Sequence, residues 1–204
     1  MSRVRRRGRA LLVLLLGLAA SPWAAALDLQ QLAARLQAPA VVRGAFVQEK
    51  HLRALPQPLV SRGHYVLARG RGLLWFLETP LRQDYRITLD GIARRQDGAW
   101  QATAQQGAAA RQNQLSLALL SGDSAALQRD FELDLQGGDD AWTLTLTPRA
   151  LLLRQIFQAI RIQGGERVEQ VELLETQGDR TLLRMPDSRV DATLSEAERH
   201  DFAD

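Results

Sequence analysis

The chain has 204 residues, 46% hydrophobic and 5% aromatic, with no cysteine. This is long enough for a domain with a sizeable core, and that core must hold without disulfides or thiolate metal sites. The formal charge of +3 comes from one end: residues 1–26 hold five of the 26 basic groups and none of the 23 acidic ones, so the remainder carries 21 against 23, a net −2. The basic balance therefore gives no reason to expect a nucleic-acid partner, and none is expected.

The first nine residues, "MSRVRRRGR", are followed by an apolar stretch interrupted by Gly17, Ser21 and Pro22 and ending in Ala24-Ala25-Ala26. A basic start, a short apolar core and an A-x-A end describe a secretory signal peptide over residues 1–26. The apolar core is short for a membrane span, and an uncleaved anchor is the alternative. No cysteine follows it to carry a lipid, so the expectation is a soluble exported protein with one domain over residues 27–204.

"LDLQQLAARLQAP" predicts a helix capped by Asp28, with Leu29, Leu32, Ala33 and Leu36 on one face and Pro39 as its stop. From residue 41 the apolar period becomes two. "RQDYRITLD" places Tyr85, Ile87 and Leu89 on one face, "DFELDLQ" does so with Phe131, Leu133 and Leu135, and "AWTLTLT" with Trp142, Leu144 and Leu146. Hairpin signals separate these runs at Asp90-Gly91, Asp97-Gly98, Gly137 to Asp140, Gly164-Gly165 and Gly178-Asp179. Short helical pieces are expected around Gly122 in residues 113–128 and again over 149–157. Ser195 and Glu198 have the spacing of a capping box before a terminal helix. About ten hairpin-connected strands in a twisted sheet must curl. The predicted class is α+β: a curved, unclosed antiparallel β-barrel with helices lidding its open side.

The sequence offers little catalytic chemistry. His51, His64 and His200 lack metal-ligand spacing, and no G-x-S-x-G elbow occurs. Asp139-Asp140 follows two glycines and fits a solvated turn better than a catalytic pair. The "RGRG" at 69–72 fits a turn between strands better than an RNA-binding tract. No catalytic residue, metal or cofactor is expected, and the protein is read as a non-enzyme. What stands out is "GLLWFLETP": Leu73, Trp75 and Leu77 point one way, Leu74 and Phe76 the other. A central strand buried on both sides accounts for this, and so does a strand with one face lining a cavity for something apolar.

Phe46 and Gln48 in "GAFVQ", Gly63, Arg69, Trp75 and Pro80 in "SRGHYVLARGRGLLWFLETP", and the Asp90-Gly91 turn together resemble the outer-membrane lipoprotein carrier (LolA-like) family. The likeness is strongest over residues 41–91. It implies an unclosed barrel in the periplasm whose apolar interior takes the acyl chains of lipoproteins, or of a related lipid, released by an inner-membrane exporter and passed to an outer-membrane acceptor. It also implies that Arg69 is the rim arginine holding the helical lid shut. The delayed Trp100 in "DGIARRQDGAW" and the residues after 150 resemble a divergent branch, whose cargo extends to other lipids. Strand parity then selects Phe46, Tyr65, Leu67, Trp75, Leu77, Tyr85, Ile87, Leu133, Trp142 and Leu144 as the acyl-lining set, in a protein expected to be a monomer. The competing reading is a periplasmic protein- or peptide-binding module that uses the same concave sheet.

Overall fold

The computed structural model describes residues 27–103, 117–118 and 120–203. The expected signal peptide and part of the expected helical segment before Gly122 lie outside the described residues.

Helix α1 (Leu29–Gln37) begins as its sequence dictates: the Asp28 carboxylate accepts from Gln31 N–H and the Gln31 side chain accepts from Asp28 N–H, a reciprocal capping box. Pro39 cannot continue it, and the chain enters strands β1 (Val41–His51), β2 (Leu59–Ala68), β3 (Gly72–Thr79), β4 (Gln83–Ile87), β5 (Ile92–Gln96) and β6 (Ala99–Ala102). Helix α2 (Ser124–Asp130) leads into β7 (Phe131–Gly137) and β8 (Trp142–Pro148), and α3 (Leu151–Ile156) into β9 (Phe157–Gly164). Strands β10 (Val168–Glu175), β11 (Arg180–Arg184) and β12 (Arg189–Asp191) precede α4 (Glu196–Phe202). Among the described residues, no helix is long and apolar enough to cross a membrane.

All twelve strands belong to one antiparallel sheet, ordered β6-β5-β4-β3-β2-β1-β11-β10-β9-β8-β7, with β12 also on β1. Strand β1 is the centre: Val47 to His51 pair with β11 and Val41 to Arg43 with β12. Strands β6 and β7 are the two edges, so the sheet curls without closing. The fold class read from the sequence is the observed one, with two more strands than expected.

Register sorts side chains onto two faces. The inner face carries Phe46, Tyr65, Leu67, Leu73, Trp75 and Ile87 from one half of the sheet and Leu133, Leu144, Leu146, Ile160, Ile162 and Val171 from the other. These residues meet in a single apolar cluster, which requires the two halves to fold toward each other. One expected inner position is corrected. Leu89 is 79% exposed, because Thr88 and Gly91 exchange backbone hydrogen bonds that end β4 at Ile87 and leave Leu89-Asp90 at the hairpin tip.

The outer face explains the second greasy side of β3. Leu74, with Val41 and Val66, packs in a smaller cluster against Phe76, Trp100, Leu194 and Phe202, so the C-terminal segment straps the outer face. The terminal helix is thus separate from those that cover the inner face. Its capping box forms between Ser195 and Glu198. Arg43 bonds both Asp191 and Glu198, Arg95 bonds Asp201, and Arg86 donates to the Asp201 and Ala203 carbonyls. Burial alone would raise the Glu198 carboxyl, but bonds from the Ser195 backbone, Arg43 and the Ser195 hydroxyl hold it below its ordinary value. A depressed carboxyl contributes stability that is present above its unfolded value of about 4.3 and lost as pH falls through the lower folded value. Acid titration followed by Trp100 fluorescence is therefore expected to show the strap loosening below about pH 4. That transition should be absent in Glu198→Gln, whose strap is loose throughout.

Candidate functional site

The inner face is a trough, and α1 and α2 lie across it. Leu29, Leu32, Ala33 and Leu36 of α1 and Leu127 of α2 face Trp142, Leu144 and Ile162 across an apolar cavity of about 20 Å³. That is room for about one water molecule, whereas small-molecule pockets run to about 300–1,000 Å³. In this arrangement the protein's own leucines fill the trough.

Of the ten lining residues selected by parity, Phe46, Tyr65, Leu67, Trp142 and Leu144 are buried in the cluster, and Trp75, Leu77, Ile87 and Leu133 pack against it partly buried. Tyr85 shares the face, directly opposite Trp75, but is half-buried and outside the cluster. Phe46 and Trp75 stack with ring centroids 3.8 Å apart. Two polar tips inside the trough are satisfied: Trp142 Nε1 donates to the Gly165 carbonyl at 2.7 Å, and the Tyr65 and Ser188 hydroxyls bond at 2.7 Å. Burial raises the Tyr65 phenol, and the Ser188 bond only partly offsets it. Parity selection omitted Leu146 and Ile160, both 0% exposed, and Ile162, which form the floor of the second half. The signal was present in "AIRIQGG", where Ile160 and Ile162 alternate with Arg161 and Gln163.

Helix α1 is held by polar contacts at the trough's end. Arg69, in the β2–β3 turn, donates from Nη1 to the carbonyls of Gln37 at 3.3 Å and Ala38 at 3.0 Å. These are orphan carbonyls of the α1 C-terminus, where the helix dipole also favours a cation. Arg35 pairs with Asp139 in the β7–β8 turn, Arg167 in the β9–β10 turn donates to the Arg35 carbonyl at 3.3 Å, and Gln37 donates to the Gly122 carbonyl at 2.9 Å. Asp139 and Asp140 are exposed turn residues, and Asp139 serves as the Arg35 partner. A polar pocket of about 320 Å³ opens beside these turns, lined by Asp139, Asp140, Glu166, Arg167 and Glu169. Among the described residues, no three His, Cys, Asp or Glu side chains group as a metal site.

Leucine, isoleucine and ring surfaces of this kind can hold alkyl chains. The profile of the "Outer membrane lipoprotein carrier protein LolA-like" family matches residues 19–199. The outer-membrane lipoprotein carrier protein of Chromohalobacter salexigens is 27% identical over 143 residues, which is 70% of this chain and 66% of that protein's length. Among solved structures, the MucA/MucB complex of Pseudomonas aeruginosa is 17% identical with a TM-score of 0.47, covering 83% of this chain and 58% of that one. A LolA superfamily protein of Nitrosomonas europaea is 9% identical with a TM-score of 0.46, covering 84% and 97%. With the family profile spanning nearly the whole chain, this protein belongs to the outer-membrane lipoprotein carrier LolA-like family.

Proposed function

We propose that this protein is a periplasmic, non-enzymatic carrier that shields acyl chains of lipoproteins, or of a related lipid, in the inner-face trough during transit toward the outer membrane. The observation that carries this reading is the all-apolar floor beneath α1, a short helix held to the rim by polar contacts and packed over the trough by leucines. In this reading residues 1–26 direct export and are removed, an inner-membrane exporter supplies the cargo to the monomeric carrier, and an outer-membrane acceptor receives it.

Burying a methylene contributes about 0.8 kcal/mol, so a long chain in a permanently open trough would leave too slowly to be handed on. Helix α1 supplies the counterweight. Ligand enters only when Leu29, Leu32 and Leu36 are lifted out, and the free energy of that lifting is subtracted from the ligand's affinity. Arg69 then breaks its two bonds to the α1 carbonyls as the cargo enters and remakes them when it leaves. Phe46, Tyr65, Leu67, Trp75, Leu77, Tyr85, Ile87, Leu133, Trp142 and Leu144 are the proposed lining.

The test is native mass spectrometry with lipid extraction on protein purified after export. Copurifying acylated molecules are expected. Leu133→Glu, which places a charge on the inner face of edge strand β7, should lose them while keeping the parent's circular dichroism. Protein that carries no lipid and takes up no fluorescent acyl probe would overturn the carrier reading and leave the sheet to a protein or peptide partner.

A further inference from the structure

One register row crosses the trough and changes character along its length. Tyr65 on β2 pairs with Trp75 on β3, Trp75 with Tyr85 on β4, Tyr85 with Arg94 on β5, and Arg94 with Gln101 on β6. All five side chains project from the inner face, where directly opposed residues have Cβ atoms about 4.5–5.5 Å apart. The row starts in the apolar cluster, where Tyr65 is buried and Trp75 stacks on Phe46. It leaves that cluster at half-buried Tyr85 and ends at half-buried Arg94 and exposed Gln101.

Arg94 contrasts with its neighbours in charge compensation. On the outer face Arg43 pairs with Asp191 and Glu198, Arg86 donates to C-terminal carbonyls, and Arg95 pairs with Asp84 and Asp201, while Arg62 on β2 makes no side-chain hydrogen bond or ion pair among the described residues. Among the described residues, the Arg94 side chain makes no hydrogen bond or ion pair, and the Tyr85 hydroxyl has no partner. Register assigns no Asp or Glu to the inner face of β1 to β6. The other cation there is Lys50, at the far end of β1 opposite Leu59 and Thr181, away from this row. A half-buried guanidinium beside an aromatic row, with no acid supplied by its own face, is complementary to an anion brought by a ligand.

We propose that Arg94, with the Tyr85 hydroxyl, is a headgroup subsite for an amphiphile whose acyl chain lies on the Trp75 side and whose head is acidic, a carboxylate or a phosphate. Guanidinium binds either group bidentately. The proposal rests on the carrier reading and narrows its cargo to acidic lipids. The aromatic part of the row takes the first methylenes of the chain, and the cation stops the head from following them into the trough.

The test measures displacement of a fluorescent acyl probe from the exported protein by palmitate, 1-palmitoyl lysophosphatidate and the uncharged 1-monopalmitoylglycerol, which share one chain. The parent should prefer at least one acidic lipid over the neutral one by about tenfold, the size of a charge-assisted hydrogen bond. Whichever acid is preferred identifies the head as carboxylate or phosphate. The ratio should fall to near one in Arg94→Gln and persist in Arg94→Lys. It should also persist in Arg71→Gln, which removes the same charge from the exposed β2–β3 turn. All three lipids binding the parent equally, or an unchanged ratio in folded Arg94→Gln, overturns the subsite and leaves the carrier reading standing. Failure of all three lipids to displace the probe, or of the probe to bind, overturns the carrier reading and the subsite with it.

Discussion

Leu32→Ala, deep in the contact between α1 and the trough, is expected to raise the affinity for an acyl probe by at least about tenfold. Leu32 is 2% exposed and is the one fully buried residue of α1. Cutting a buried leucine to alanine costs about 2–5 kcal/mol. Helix α1 is not a strand of the sheet, so most of that loss falls on its docked state and little on the barrel. If ligand and helix compete for one surface, each 1.4 kcal/mol taken from the helix returns a factor of ten to the ligand, until α1 is mostly undocked. Arg69→Gln should act in the same direction by about two- to threefold, since its bonds are exposed and solvent replaces them cheaply. Probe titrations of parent and both variants decide the matter. Affinity that falls or stays constant in Leu32→Ala means that α1 is a wall of the site, and the competition is wrong.

Gly63→Ala is expected to destabilise the fold by at least about 4 kcal/mol, the range reserved for steric or packing failures. Gly63 sits at the β2–β3 bulge, where Arg62 pairs with Thr79 but Gly63 pairs with Leu77. A Cβ there would lie 1.9 Å from the Phe76 carbonyl oxygen and 3.0 Å from Phe46 Cε1. The oxygen belongs to the backbone, so relief requires moving β3 and with it the Phe46–Trp75 stack. Gly70 is the control: its φ is +72° but nothing lies within 4 Å of an added Cβ, so Gly70→Ala carries only the left-handed backbone cost of about 1–2 kcal/mol. Thermal unfolding of the two variants side by side should show Gly63→Ala melting lower by on the order of 10 °C. Equal melting temperatures would show that the strand yields at the bulge.

Local chemistry was legible in the amino-acid order. Asp28, Ser195 and Glu198 announce their helix ends because a cap involves residues three apart. Period-two alternation in β4, β7 and β8 shows which side chains share a face because the pleat repeats every two residues. The ten residues expected to line an acyl site were chosen on that ground, and the register places all ten on the inner face. Where period two runs past a strand end, as at Leu89, the pattern misleads, since the turn's own hydrogen bonds decide where pairing stops.

Other features needed the third dimension. That β1 also pairs with β11 and β12, that "AIRIQGG" forms the floor opposite Phe46, and that α4 straps the outer face all depend on pairings between residues more than a hundred positions apart. No local period encodes such pairings, because the strands select partners by burying complementary surface together. The sequence by itself determined the elements, their apolar faces and the family. Only the tertiary structure decided that α1 fills the trough, which carbonyls Arg69 bonds, and that Arg94 faces inward with no acid beside it among the described residues. Burial, contact and charge compensation are properties of neighbours in space, and the curl of the sheet chooses those neighbours.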